Sequence, residues 1–262
     1  MRSGKPAAAF AVLLVVSFAT MNAMPSDTLL AALLQEAVLA LVALAAVGFA
    51  VPDALKRCTQ TVQQRSIVRF TAIILLLVGL VGGAITLLAW LFAGGGNMAG
   101  FASTALSSTA DLMENLLLLL GICLLTGLYE ESFMRVLGIE AFERALDTKR
   151  AILASAALFA LLHVGAPDVS AGQLVLLQAA LKFGQALLFG VILGALYVRT
   201  RRLWPCAFIH AGFDVLYMAP NVLLTGTMPE TYASGAVGDT VLLAVSVLML
   251  SGIVLKIRNE IA

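Results

Sequence analysis

Charge is what this sequence has least of. Lys, Arg, Asp and Glu together make up 12% of its 262 residues, about half the share found in soluble globular domains. That scarcity excludes a chain that covers an ordinary water-facing surface. The three cysteines, Cys58, Cys123 and Cys206, follow no spaced pattern, which excludes a disulfide framework or a cysteine-built zinc site. Cys123 and Cys206 fall inside apolar segments and read as buried inert thiols. No His-Glu-x-x-His occurs, so the common metalloprotease signature is missing. No serine or cysteine stands in a recognisable nucleophile motif. The net charge of +1, gathered at loops and helix ends, offers no patch for nucleic acid.

What fills the chain instead is hydrocarbon. Hydrophobic residues make up 61% of it, and the mean hydropathy is +1.01. Apolar runs cover roughly residues 7–23, 28–51, 67–93, 112–137, 150–165, 172–198, 203–219 and 237–256. Each except the fifth is near or above the length that crosses a bilayer, so the fold class expected is an all-α polytopic integral membrane bundle of about eight transmembrane helices. Residues 1–111 hold three of them, 112–220 a four-helix core, and 221–262 a last one. Arg2 and Lys5, Lys56 to Arg69, Arg135 to Arg150, Arg199 to Arg202, and Lys256 with Arg258 mark alternate ends of these runs. The intervening loops have no Lys or Arg, and Lys182 alone breaks the pattern. The positive-inside rule then places both termini in the cytoplasm and the chain in the inner, cytoplasmic membrane. Arg2 and Lys5 before a short apolar run also fit a signal peptide cleaved near Ala19–Ala23, but its flanks match those of its neighbours and favour a retained helix.

Into this apolar background the chain sets a few groups that cost a few kcal/mol each to insert. The stretch Leu128-Tyr-Glu130-Glu131-Ser-Phe-Met-Arg135 carries two adjacent carboxylates and an arginine. Glu131 and Arg135 are four apart with the acid first, the favourable order for a helical ion pair. Glu130 points about 100° away, free to serve as an acid/base group while Arg135 neutralises Glu131. The two histidines of the chain, His163 and His210, also lie in apolar runs. Phe159 stands four residues before His163 and can pack on its ring. Asp214 stands four after His210 and can orient it. If the fourth and fifth runs form a hairpin at Asp147-Thr148, Glu130 and His163 lie about 25 and 22 Å from the turn. They are then nearly level, provided the helix continues beyond Gly138.

Hydrolysis by an activated water is the natural use of such a set. Glu130 takes the proton, and the histidines hold the water or stabilise the oxyanion. No cofactor is favoured; a zinc ion held by His163, His210 and a carboxylate is the chemical alternative. On span six Gln178, Lys182 and Gln185 make a polar stripe. Lys182 either faces the same cavity, to bind a substrate carboxylate or carbonyl, or snorkels outward or pairs with Asp168. Gly190 and Gly194 form a small-xxx-small pair suited to close packing within one protomer.

These residues carry a resemblance. Glu130-Glu131-x-x-x-Arg135, Phe159-x-x-x-His163 and His210-x-x-x-Asp214 resemble the three ordered motifs of the CPBP family, integral-membrane proteases that include type II CAAX prenyl endopeptidases and bacteriocin-processing proteins. The resemblance spans roughly residues 112–220. It implies that Glu130 activates the hydrolytic water, that Glu131 and Arg135 support it, and that His163, His210 and Asp214 complete the catalytic site. Val136 stands where a glycine often follows the arginine. The partners implied are the lipid bilayer and a membrane-anchored or secreted peptide or protein substrate. Neither nucleic acid nor any particular oligomer is implied. Two other readings compete: a non-catalytic membrane scaffold that regulates a partner protein, and a proton-coupled transporter, for which the broken helices and internal repeat are missing.

Overall fold

Long apolar stretches need every backbone group bonded within the chain, and the computed structural model meets that need with helices. It describes residues 4–24, 26–58, 65–93, 109–164, 170, 172–228 and 234–258. The glycine-rich loop expected after the third span and Asp168, the expected partner of Lys182, lie outside them. The elements are α1 (Lys5–Ala23), α2 (Leu29–Ala50), the short α3 (Pro52–Cys58), α4 (Arg65–Ala93), α5 (Thr109–Glu131), α6 (Thr148–Val164), α7 (Gln173–Thr200), α8 (Leu203–Thr225) and α9 (Val237–Ile257). No strand occurs among the described residues, so the protein is an all-α polytopic membrane bundle. Local chemistry sets several ends. The Thr28 hydroxyl accepts a hydrogen bond from the Ala31 N–H at the start of α2, and α8 stops at Gly226 with φ 69°, the usual left-handed helix terminator.

Among the described residues seven helices are long and apolar enough to cross a membrane. The short fifth run does fold as a helix, α6, but its 17 residues reach only about 26 Å, below the ~30 Å of a hydrocarbon core. Large apolar side chains such as Leu41, Phe49 and Leu248 remain exposed on the outside of the bundle. In a membrane protein that is the surface lipid covers.

The bundle is organised around α5, α7 and α8. Helix α5 packs chiefly on α8 and α2, α6 on α7, and α4 and α9 close the remaining sides. Small residues let these helices approach. A Cβ on Gly127 of α5 would lie 2.6 Å from the Ala207 carbonyl oxygen of α8, and Cβ atoms on Gly190 and Gly194 would lie 2.9 Å from side-chain atoms of Ala156 and Ile152 in α6. The Gly190–Gly194 pair therefore packs inside one chain. The glutamines of the α7 stripe face α9. The Gln178 amide donates to the Ala236 carbonyl at 2.8 Å and Thr240 Oγ1 at 2.9 Å, and Gln185 donates to Ser246 Oγ at 2.6 Å. Such bonds are strong helix glue where no water competes.

The turn after α5 is clamped to the α7–α8 junction. Arg201, in a left-handed conformation with φ 50°, donates from both terminal nitrogens to the two Glu143 oxygens at 2.9 and 2.8 Å and to Glu140 at 3.1 Å. Burial works against its charge, yet Glu143 and Glu140 more than offset that and hold its pKa above the ordinary arginine value. Helix α1 lies along the same end of α5, with Phe10 4.7 Å from Phe133 and 5.8 Å from Phe142 by ring centroid.

Candidate active site

Helix α5 does not break at Gly138. Directly after Glu131 it widens into a π-helical stretch, Ser132–Ile139, and then resumes for one α turn, Glu140–Phe142. Every residue of the stretch is buried. An i→i+5 widening is rare and concentrates at functional sites. Here it begins at the residue after the paired carboxylates and carries Arg135. The chain then turns and re-enters as α6, which brings His163 beside Glu130 with Nε2–Oε2 at 3.8 Å.

Glu131 is fully buried and has two partners. Its Oε2 lies 3.1 Å from Arg135 Nε, and its Oε1 lies 2.8 Å from His210 Nδ1. An ionised carboxylate can only accept, so His210 carries its proton on Nδ1 toward Glu131 and presents Nε2 to the site. Arg135 is held in turn. Its Nη1 donates to Ser155 Oγ at 3.4 Å, Ser155 donates to the Met134 carbonyl at 2.7 Å, and the guanidinium lies over the Phe159 ring at 4.7 Å. Two helices are thereby tied to the π stretch through one ion pair.

Glu130 occupies the other face of α5. Its Oε2 lies 3.4 Å from His210 Nε2, so it faces both imidazoles. Asp214 approaches the same His210 nitrogen, at 3.4 Å. The closest carboxylate to that ring is thus Glu131, across the helix interface, rather than Asp214 one turn along α8. His163 is fixed differently: its Nδ1 donates to the Phe159 carbonyl at 2.9 Å, and its ring packs on Phe159 at 4.1 Å. Because a carbonyl only accepts, the proton sits on Nδ1, and Nε2 points its lone pair toward Glu130. All six residues expected from the sequence thus lie in one cluster.

Glu130 and His163 also line a cleft of about 550 Å³. Its far wall is α1, through Leu14, Ser17, Phe18 and Met21, and its rim includes Leu161 and Leu162. Phe18 and Leu161 are more than half exposed on the outer face, so the cleft runs from the lipid-facing surface to the carboxylate.

Two further residues reach the cluster. Glu36 of α2, not singled out from the sequence, interacts with Thr126 one turn before Glu130 and acts electrostatically on Asp214 and His210. The signal was a lone carboxylate in a 22-residue apolar helix, which is costly unless partnered. Lys182 turns inward: its Nζ donates to Gln185 Oε1 at 3.1 Å and lies 5.3 Å from the Tyr217 ring centroid. Cys123 packs in a separate apolar cluster with Leu119, Ile122 and Val222, and Cys206 points its thiol at the Leu193 carbonyl. The donor set of His163, His210 and Glu130 is chemically that of a zinc site. However, among the described residues no three His, Cys, Asp or Glu side chains are arranged to hold an ion.

The class defined so far is a polytopic membrane protein with a carboxylate–imidazole centre buried between its helices. Residues 112–216 match the family model Rce1-like, described as type II CAAX prenyl endopeptidase Rce1-like, in agreement with the resemblance carried by the three motifs. The matched stretch holds Glu130, Glu131, Arg135, His163, His210 and Asp214. It supports a CAAX-type intramembrane protease. No curated protein matches the chain.

Proposed function

We propose that this protein is an intramembrane endopeptidase that hydrolyses peptide bonds of a membrane-associated protein or peptide with a water activated by Glu130. The observation that carries the reading is the position of the Glu130 carboxylate. It faces the Nε2 atoms of both histidines at the wall of a cleft that reaches the lipid-facing surface. A water held by the His163 lone pair gives its proton to Glu130, and its oxygen adds to the scissile carbonyl. His210, as an imidazolium anchored through Nδ1 on Glu131, stabilises the resulting oxyanion. Collapse breaks the C–N bond, and Glu130 returns the proton to the leaving amine. Asp214 and Arg135 set the charge balance around His210 and Glu131. The substrate enters from an inner membrane in which both termini of the protease are cytoplasmic.

The test compares protein termini in host membranes carrying wild type or Glu130→Gln. Glutamine keeps size and hydrogen bonding but cannot take the proton, so cleavage falls roughly 10²–10⁴-fold. Disappearance of defined termini at equal protein levels is the expected result. Identical profiles with any wild-type phenotype intact would replace the protease with a scaffold. A chelator arm on the purified chain separates the two hydrolytic mechanisms: cleavage that survives chelation belongs to Glu130 and the histidines alone.

A further inference from the structure

Three arginines crowd the junction of α7 and α8, and each goes its own way. Arg199 lays its guanidinium over the Phe70 ring of α4, 4.5 Å from the centroid. Arg201 turns to Glu140 and Glu143. Arg202, whose backbone N–H donates to Thr200 Oγ1 at 3.2 Å, lines a groove of about 300 Å³ between α4 and α8. This groove shares no residue with the cleft at Glu130, and neither the three motifs nor the proposed reaction uses it. Thr71 of α4 and Trp204 of α8 line it with Arg202, and none of the described residues lining it is a carboxylate.

The groove changes character with depth. Helices α4 and α8 both begin at the basic end of the bundle, with Arg65 and Arg69 on one and Arg202 just ahead of the other. Four residues onward is therefore about 6 Å deeper on each. Four residues on from Thr71 and Trp204 stand Leu75 and Phe208, which also line the groove and are 55% and 57% exposed. Trp204 stacks on Phe208 with ring centroids 5.3 Å apart, and its place beside the basic junction is the interfacial level that tryptophan favours. Water suits the polar end of such a groove but not Leu75 or Phe208, and hydrocarbon suits the apolar end but not a guanidinium. A molecule with an anion at one end and an acyl chain at the other matches both, and basic pockets between membrane helices take lipid headgroups in this way. We propose that the groove is a binding site for one anionic glycerophospholipid. Its phosphate sits on the Arg202 guanidinium, whose planar fork suits two phosphate oxygens, with the Thr71 hydroxyl and the Trp204 N–H as further donors. One acyl chain runs down over Leu75 and Phe208. The headgroup is anionic overall rather than zwitterionic, because Arg199 and Arg202 bring positive charge to this junction and a choline would meet it.

The chain has two tryptophans, Trp90 and Trp204, so Trp90→Phe leaves Trp204 as a single fluorescent reporter in the groove. The full-length variant is reconstituted in phosphatidylcholine vesicles that carry a small fraction of a brominated lipid. That lipid is either phosphatidylglycerol or phosphatidylcholine, brominated near the start of its acyl chains so that it quenches an indole it touches. A charge-assisted contact predicts half-quenching at roughly tenfold less brominated phosphatidylglycerol than brominated phosphatidylcholine. Adding Arg202→Gln brings the two lipids level. Arg150→Gln, which removes an exposed cation from outside the groove, leaves the preference intact. Equal quenching by the two lipids in the Trp90→Phe protein overturns the proposal, even if Arg202→Gln fails to fold. Equal loss in the Arg202 and Arg150 variants overturns it too, because the preference then belongs to the charge of the whole surface. Displacement of the brominated phosphatidylglycerol by inorganic phosphate would mean that the groove binds free phosphate and no lipid chain, which overturns it as well.

Discussion

Each of the two adjacent glutamates has a different neighbourhood, and that difference divides their roles. Glu131 is fully buried with its charge matched by Arg135 and its second oxygen on His210; Glu130 reaches the cleft. A buried ion pair with one partner removed leaves an uncompensated charge, which costs about 3–5 kcal/mol. Arg135→Met should therefore lower the unfolding free energy of the detergent-solubilised protein by about that amount. Adding Glu131→Gln should restore part of the stability, because the stranded charge goes with it. Cleavage should stay lost in the double variant, since a glutamine holds the His210 tautomer less firmly than a carboxylate does. Denaturant unfolding of the four members of this mutant cycle measures the coupling. Full additivity would mean that the pair does not act as a unit. Glu36 completes the picture at this scale, as a further carboxylate that meets Thr126 one turn before Glu130 from a helix outside the three motifs.

At the scale of elements, the site exists because α5 and α8 approach closely. Gly127 makes that approach: its missing Cβ would press on the backbone oxygen of Ala207 at 2.6 Å and on Ala211 N at 3.3 Å, and backbone cannot rotate away. Gly127→Ala should push the helices apart and stretch the 2.8 Å bond between Glu131 and His210. Overpacking of this kind costs about 1–3 kcal/mol, and we expect activity to fall by more than the stability loss accounts for. Gly212→Ala is the control, because nothing lies within 4 Å of its added Cβ; it should gain up to about 1 kcal/mol from helix propensity. Cleavage rates and thermal unfolding of both variants read the difference, and equal behaviour would place the constraint elsewhere. The i, i+4 spacings of Glu131 with Arg135, Phe159 with His163 and His210 with Asp214 were legible in the sequence because neighbours on one helix follow from its pitch. The cross-helix bond from His210 to Glu131, the approach of Glu36 and the inward turn of Lys182 were not. They depend on which faces meet, and apolar periodicity is nearly blank in helices that are hydrophobic all round. The π stretch was hidden for a related reason. A widened turn changes hydrogen bonding without changing composition, so Ser132–Ile139 reads as ordinary apolar helix.

Across the whole molecule, the matched stretch 112–216 holds all the motif residues but does not enclose the cleft. The missing wall is α1, whose Leu14, Ser17, Phe18 and Met21 face Glu130 and His163 across it and whose Phe10 packs on Phe133 near the start of the widened segment and on Phe142 in the α turn after it. This bears on the two fates the sequence allowed for the first apolar run, retention or cleavage as a signal peptide. Removing α1 would strip Phe133, only 2% exposed, of its Phe10 contact and open the cleft wall facing Glu130 and His163 to lipid. We propose that the run is retained, as a wall of the cleft. An epitope placed ahead of Lys5 should stay on the full-length chain by intact mass and should be reached by antibody only from the cytoplasmic face. Deleting residues 1–24 should leave the remaining helices inserted, since basic residues still mark alternate ends of them, yet lower cleavage by more than about tenfold through loss of substrate positioning. If the truncated chain cuts at the wild-type rate, the cleft wall is supplied by lipid or by the substrate's own membrane segment, and α1 serves stability alone.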